Sequence, residues 1–196
     1  MTSRLWGDPA SRHAGSRQVV LILTGPPGAG KTTTARLLAG SVERSVHIES
    51  DRFFRFIRSG YIEPWKPESH AQNKVVLDAV ARAAAAYASA GYFTIVDGIV
   101  LPGWFFEPLR DSLRDAGHLV AYAVLRAPLE VCLARARNRQ DQPLAEPPVV
   151  ERLWREFADL GPLEPNAVDI DDHSPDEAVA LVAERLRDGR LAAGGP

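Results

Sequence analysis

The sequence predicts a three-layer α/β sandwich built on a five-stranded parallel sheet. Three observations carry that expectation: five short apolar runs of strand length, stripes of helical period between them, and the regular alternation of the two along 196 residues. Such alternation closes right-handed crossovers, which lay helices on both faces of one sheet.

The first run, Gln18 to Thr24 (QVVLILT), is nearly continuous in apolar residues, as a strand buried on both faces should be. A glycine-rich turn and the helical run KTTTARLLAG follow it. Ser45 to Asp51 (SVHIESD) reads as the second strand, with Asp51 closing it, and RFFRFIR as a helix start whose stripe is Phe53, Phe56 and Ile57. Val76, Ala79, Val80, Ala83 and Tyr87 mark a long helix before the third strand, Tyr92 to Asp97 (YFTIVD). Phe105, Leu109 and Leu113 mark the next helix, His118 to Leu125 the fourth strand, and Leu129, Cys132, Leu133 and Ala136 the helix after it. An amphipathic stretch from Val149 to Phe157 ends at Gly161-Pro162, and Ala167 to Asp171 is the fifth strand. The last helix announces itself with a capping box, Ser174 to Glu177 (SPDE), with proline in its first turn.

With 45% apolar and 24% charged residues the chain has the composition of one compact domain, expected over residues 17–190. Residues 1–16 lack the apolar core of a signal peptide and read as a disordered arm, and residues 191–196 as a disordered tail. A formal net charge of -2 offers no global field for a polyanion, so a nucleic-acid partner is disfavoured. Cys132 is the single cysteine, which excludes an intrachain disulfide, and no apolar run reaches membrane-span length. Both features suit a reducing cytoplasm.

The chemistry begins at the turn after the first strand. Gly25, Pro26, Pro27, Gly28, Ala29, Gly30, Lys31 and Thr32 fit G-x-x-x-x-G-K-[ST] in full, between a buried strand and a helix start, and Thr33 continues into that helix. The glycines let successive N–H groups converge on an anion and the helix N-terminus adds its positive end. Lys31 is expected to reach the β- and γ-phosphates of ATP and Thr32 to ligate Mg2+. Asp97 ends an apolar strand, and two readings compete for it: a magnesium partner, or a cap for the turn at Gly98. The phosphate loop upstream favours the metal.

Ligands of open α/β sheets bind outside the carboxyl ends of strands, which makes Asp51 the candidate base that accepts a proton from a substrate hydroxyl. Against this stands a helix-cap reading, because Ser50-Asp51 precedes a helix start. Glu49, one step earlier, is expected to face the other way. Aromatics crowd the segments after Asp51 and Asp97, and those outside the core, Phe54 and Trp104 among them, can wall a pocket for a flat or apolar substrate. His70, Gln72 and Asn73 are polar groups at the start of the third helix that either orient that substrate or cap the helix. Arg135 and Arg139 share a helix flank by their i, i+4 spacing and form either a phosphate clamp or a solvated basic face. The polar, proline-bearing stretch 140–148 suits a lid that excludes water.

The phosphate loop, IESD, IVDG and the C-x-x-R-x-x-x-R helix from Cys132 to Arg139 together resemble the small P-loop kinase-like family. Chloramphenicol phosphotransferase, tunicamycin-resistance proteins, gluconate kinase and zeta toxins are members, and the similarity covers residues 18–188. The resemblance implies an adenylate-kinase-like P-loop NTPase sandwich of strand order 2-3-1-4-5, ATP as donor, Asp51 as base, and Arg135 with Arg139 as the arginines of the lid. It carries over no acceptor. The expected activity is an ATP- and Mg2+-dependent phosphotransferase acting on a hydroxyl of a small molecule, with an antibiotic or other secondary metabolite as the kind of acceptor that fits. A nucleotide-binding regulatory module without such an acceptor, and a nucleoside, nucleotide or polynucleotide kinase, are the alternatives.

Overall fold

In the computed structural model, which describes residues 17–137, 146–171 and 173–193, the first apolar run forms β1 (Val19–Thr24) and the phosphate-loop lysine opens α1 (Lys31–Gly40). There follow β2 (Ser45–Glu49), α2 (Ser50–Phe54), α3 (His70–Ser89), β3 (Phe93–Asp97), α4 (Phe106–Asp115) and β4 (Leu119–Arg126). The chain continues through α5 (Leu129–Arg137), α6 (Pro147–Glu156), β5 (Ala167–Asp169) and α7 (Pro175–Arg187). The five strands form one sheet of order β2-β3-β1-β4-β5, all parallel, as expected.

Alternation along each strand divides the core into two. Leu21 and Leu23 of β1, Ile95 of β3 and Ala123 and Leu125 of β4 face Ala35 and Leu38 of α1 and Val182 and Leu186 of α7. Val20, Ile22, Val96, Tyr122 and Val124 face Val80 and Ala84 of α3 and Leu109 and Leu113 of α4. Burying each leucine, isoleucine or valine among them contributes about 1.5–3 kcal/mol, so the sheet is where the fold is anchored. The capping box of α7 is formed in full: Glu177 N donates to Ser174 Oγ at 3.3 Å, and Ser174 N donates to Glu177 Oε2 at 2.8 Å. No helix among the described residues is long and apolar enough to cross a membrane.

Four details differ from the sequence expectation. The second strand ends at Glu49, so Asp51 stands in the first turn of α2 instead of closing β2. Helix α2 stops at Phe54 and the chain continues in tighter turns through Ile57, which leaves Phe56 70% exposed, edge-on to Phe53 and outside the expected apolar stripe. Pro147 and Pro148, assigned to the lid, form the first turn of α6, where proline's fixed φ suits a helix start. Residues 138–145 lie outside the described residues.

The fourth difference is the tail, which is packed over residues 191–193. β5 pairs only with Val124 to Arg126 and leaves the first half of β4 without a neighbour on that side. The tail supplies one: Tyr122 N donates to Leu191 O at 2.8 Å and Ala193 N to Val120 O at 2.9 Å. Buried backbone groups need partners, and Leu191 fills the adjoining core with no exposure at all.

Candidate active site

The phosphate loop is shaped by two close approaches. Gly25 and Gly28 both have positive φ, 141° and 83°, and a β-carbon on either would overlap backbone, that of Leu125 and of Cys132 respectively. The loop is thereby pressed between the end of β4 and helix α5, and only glycine fits. Lys31 turns back over it, 7% exposed, with Nζ donating to Pro26 O at 3.0 Å. The first turn of α1 carries no acidic residue, so nothing of its own competes with an anion for the free N–H groups.

Helix α5 brings Arg135 to this loop. One guanidinium nitrogen lies 3.9 Å from where a β-carbon on Gly30 would stand. Cys132, on the same helix, has its thiol pushed up to about 11 by burial, with the charges of Lys31 and Arg135 pulling the other way. Both cations are therefore felt at one point beneath the loop. Arg139 lies outside the described residues.

Asp97 ends β3 beside the loop and is 3% exposed. Its Oδ2 accepts from His47 Nε2 at 3.3 Å, while Oδ1 is buried with no hydrogen-bond partner among the described residues. The turn after it is held differently: Gly98 N donates to Leu23 O at 3.3 Å, so Asp97 is not the cap of that turn. An orphaned carboxylate oxygen fits the outer hydration shell of magnesium, a hard cation that keeps several waters. No group of three or more His, Cys, Asp or Glu that could hold a metal occurs among the described residues.

On the α3 side a cavity of about 360 Å³ opens against Asp51. Phe54, His70, Asn73 and Trp104 all line it, as do Trp65, Phe105, Val76, Leu77 and Val80. Trp104 and Phe105 stack, with ring centroids 3.9 Å apart and planes at 15°. Phe106 by contrast is core, and Tyr61 is exposed. The cap position of α2 is Glu49, and Asp51 is the acidic residue of the first turn. Glu49 pairs with Arg52 at 2.8 Å.

The two polar residues after His70 are largely engaged in holding the wall. Gln72 Oε1 accepts from Ile62 N at 2.8 Å and Gln72 Nε2 donates to Ile62 O at 2.6 Å. Asn73 Nδ2 donates to Pro64 O and to Ser69 Oγ at 2.7 and 2.8 Å. The opposite wall is tied to the phosphate loop itself, because Val100 N donates to Thr24 Oγ1 at 2.9 Å, one residue before Gly25, and Tyr122 Oη donates to Val100 O at 2.7 Å. Sequence reasoning missed the third wall, Arg152, Leu153 and Glu156 of α6, whose amphipathic stripe announced a helix but not its neighbour. It also missed His47, for which the alternation of β2 was the available signal.

The sequence profile of the AAA-domain family matches residues 20–160. A shikimate kinase of Pseudomonas entomophila is 32% identical over 187 residues, covering 85% of this chain and 95% of that protein. Among solved structures, the tunicamycin resistance protein of Deinococcus radiodurans is 26% identical with a TM-score of 0.61, covering 92% of this chain and 99% of that one. A sugar kinase from a Janibacter species, 23% identical with a TM-score of 0.62, covers 91% of this chain and all of that one and shares the fold. The chain belongs to the small P-loop kinases of the AAA-domain family and is an ATP-dependent kinase that phosphorylates a hydroxyl of a small molecule.

Proposed function

We propose that the acceptor is a hydroxylated small molecule with a flat, largely apolar body, such as an antibiotic or other secondary metabolite, and that Asp51 activates its hydroxyl. The observation that carries this reading is the placement of Asp51 on a cavity of about 360 Å³ whose other walls are chiefly aromatic and aliphatic. Three links in contact tie Asp51 to the phosphate loop: Ser50 packs on Gly98, Gly98 is bonded to Leu23, and Leu23 lies two residues before Gly25.

In this reading Asp51 takes the proton of the acceptor hydroxyl as its oxygen attacks the γ-phosphorus and the bond to the ADP oxygen breaks. Lys31, with the N–H groups at the start of α1, neutralises charge on the phosphates throughout. Arg135, joined by Arg139, offsets the charge that spreads over the transferring oxygens. Thr32 would hold magnesium directly and Asp97 through a water; the ion, when bound, supplies charge neutralisation on the phosphate oxygens. Phe54, Trp65 and Trp104 pack the body of the acceptor and exclude water, with His70 and Asn73 at its polar edge.

The test is transfer from ATP across a panel of hydroxylated molecules: aromatic and macrocyclic antibiotics, nucleosides, shikimate and gluconate. Antibiotic-like acceptors should give the highest kcat/KM, and Asp51→Asn should abolish transfer while the rise in Tm on adding ADP persists. Faster phosphorylation of shikimate or gluconate, the acceptors that the relatives' chemistry suggests, would overturn the acceptor class; near-normal transfer by Asp51→Asn would retire it as the base.

A further inference from the structure

We propose that His47 is a positioning residue for the magnesium side of the site, acting through Asp97; the inference rests on Asp97 being the metal's carboxylate partner. In β2, Val46 and Ile48 join the core beneath α3, which leaves Ser45, His47 and Glu49 on the opposite face. That face is the α1 face, since Ser45 Oγ donates to Ala39 O of α1 at 2.6 Å. Asp97 lies on it too, because Phe93 and Ile95, four and two residues earlier in β3, pack with Ala35 and Leu38 of α1. His47 is level with Ile95 in the register and Asp97 with Glu49, so His47 and Asp97 are diagonal neighbours on one face.

The contact this produces is specific. An ionised carboxylate only accepts, so the 3.3 Å contact is His47 Nε2–H donating to Asp97 Oδ2. The two side chains are 14% and 4% exposed, so water does not readily replace the bond. It occupies one carboxylate oxygen and leaves the other, Oδ1, as the buried atom without a partner among the described residues. His47 thus fixes the rotation of the carboxylate and reserves Oδ1 for the hydrated cation. Groups that orient metal-site carboxylates in this way are commonly worth 10–100-fold in metal affinity.

The test reads metal binding without turnover. The rise in Tm caused by a fixed concentration of ADP is measured while Mg2+ is titrated, with the shift in EDTA as each variant's own reference, and Mn2+ binding to the ADP complex is followed by electron paramagnetic resonance. His47→Leu should require on the order of tenfold more Mg2+ for half of the metal-dependent shift, and His47→Gln, which keeps a donor, should recover most of it. Superimposable Mg2+ titrations for His47→Leu and the natural chain would overturn the positioning role, as would a His47→Gln variant no better than His47→Leu. If His47→Leu does not fold, His47→Asn, whose amide is too short to reach Asp97, makes the same comparison. Asp97→Asn is run beside them: unchanged metal dependence there removes the underlying reading of Asp97, whereas a change there with none in His47→Leu removes the role of His47 alone.

Discussion

The Ser50 hydroxyl occupies the space that a β-carbon on Gly98 would need. The ends of β2 and β3 therefore meet with a side chain from one filling the gap left by glycine in the other, and Asp51 and Asp97 are the residues on either side of that contact. Gly98→Ala should push Ser50, and Asp51 with it, away from the phosphate loop. A misplacement on the ångström scale costs about 10²-fold in kcat. ADP-induced stabilisation should persist, and Ser50→Gly combined with Gly98→Ala should restore part of the loss by reopening the space. Steady-state kinetics on the two single variants and the double variant decide it.

Lys31 Nζ donates to Pro26 O across the phosphate loop at 3.0 Å. In the proposed mechanism, replacing the lysine with alanine removes a cation that acts on the transferring phosphate. Lys31→Ala should lose about 10²–10³-fold or more in kcat, by analogy with loss of one oxyanion donor, with a smaller effect on the nucleotide KM. Single-turnover transfer with labelled ATP measures this directly.

Cys132 is sealed beneath the loop, and burial raises its thiol from an ordinary 9.0 to about 11. Iodoacetamide at neutral pH should leave it unmodified in the folded protein and label it in urea, read by mass spectrometry. The raised value also sets a pH dependence. Stability associated with the neutral thiol is complete below pH 9 and is lost as pH rises through about 11, so the Tm advantage of the natural chain over Cys132→Ala should shrink across that window.

Leu191 is wholly buried at the end of a segment paired with β4. Leu191→Ala should cost about 2–5 kcal/mol, the usual range for emptying a core leucine site. Ending the chain at Arg190 should cost at least as much, because Tyr122 N and Val120 O then lose their partners as well. Urea unfolding of both variants tests this, and a tail that contributes nothing would leave the midpoint unchanged.

Ser174 caps α7 in both directions. Ser174→Ala should lower stability by about 1 kcal/mol and leave kinase activity intact, which chemical denaturation and a transfer assay report together.

Much of this was written locally in the chain. The phosphate loop needs glycines, a lysine and a hydroxyl at fixed spacing between a strand and a helix, and that spacing is a property of nearby residues. The same holds for the five strands, whose apolar runs follow from burial on both faces, and for the SPDE cap. The boundary at Asp51 slipped because strand and helix preferences overlap across Ser50. The fate of Phe56 slipped because α2 ends at Phe54, short of the helical run that the stripe assumed.

The sequence by itself determined the class of fold and the glycine-rich turn between its first strand and first helix, because each depends on short-range pattern. Only the tertiary structure decided which groups meet across it: His47 with Asp97, Ser50 with Gly98, Thr24 with Val100, α6 with the acceptor cavity, and residues 191–193 with β4. Those meetings are set by strand register and by the packing of elements distant in sequence. Local spacing carries no record of either.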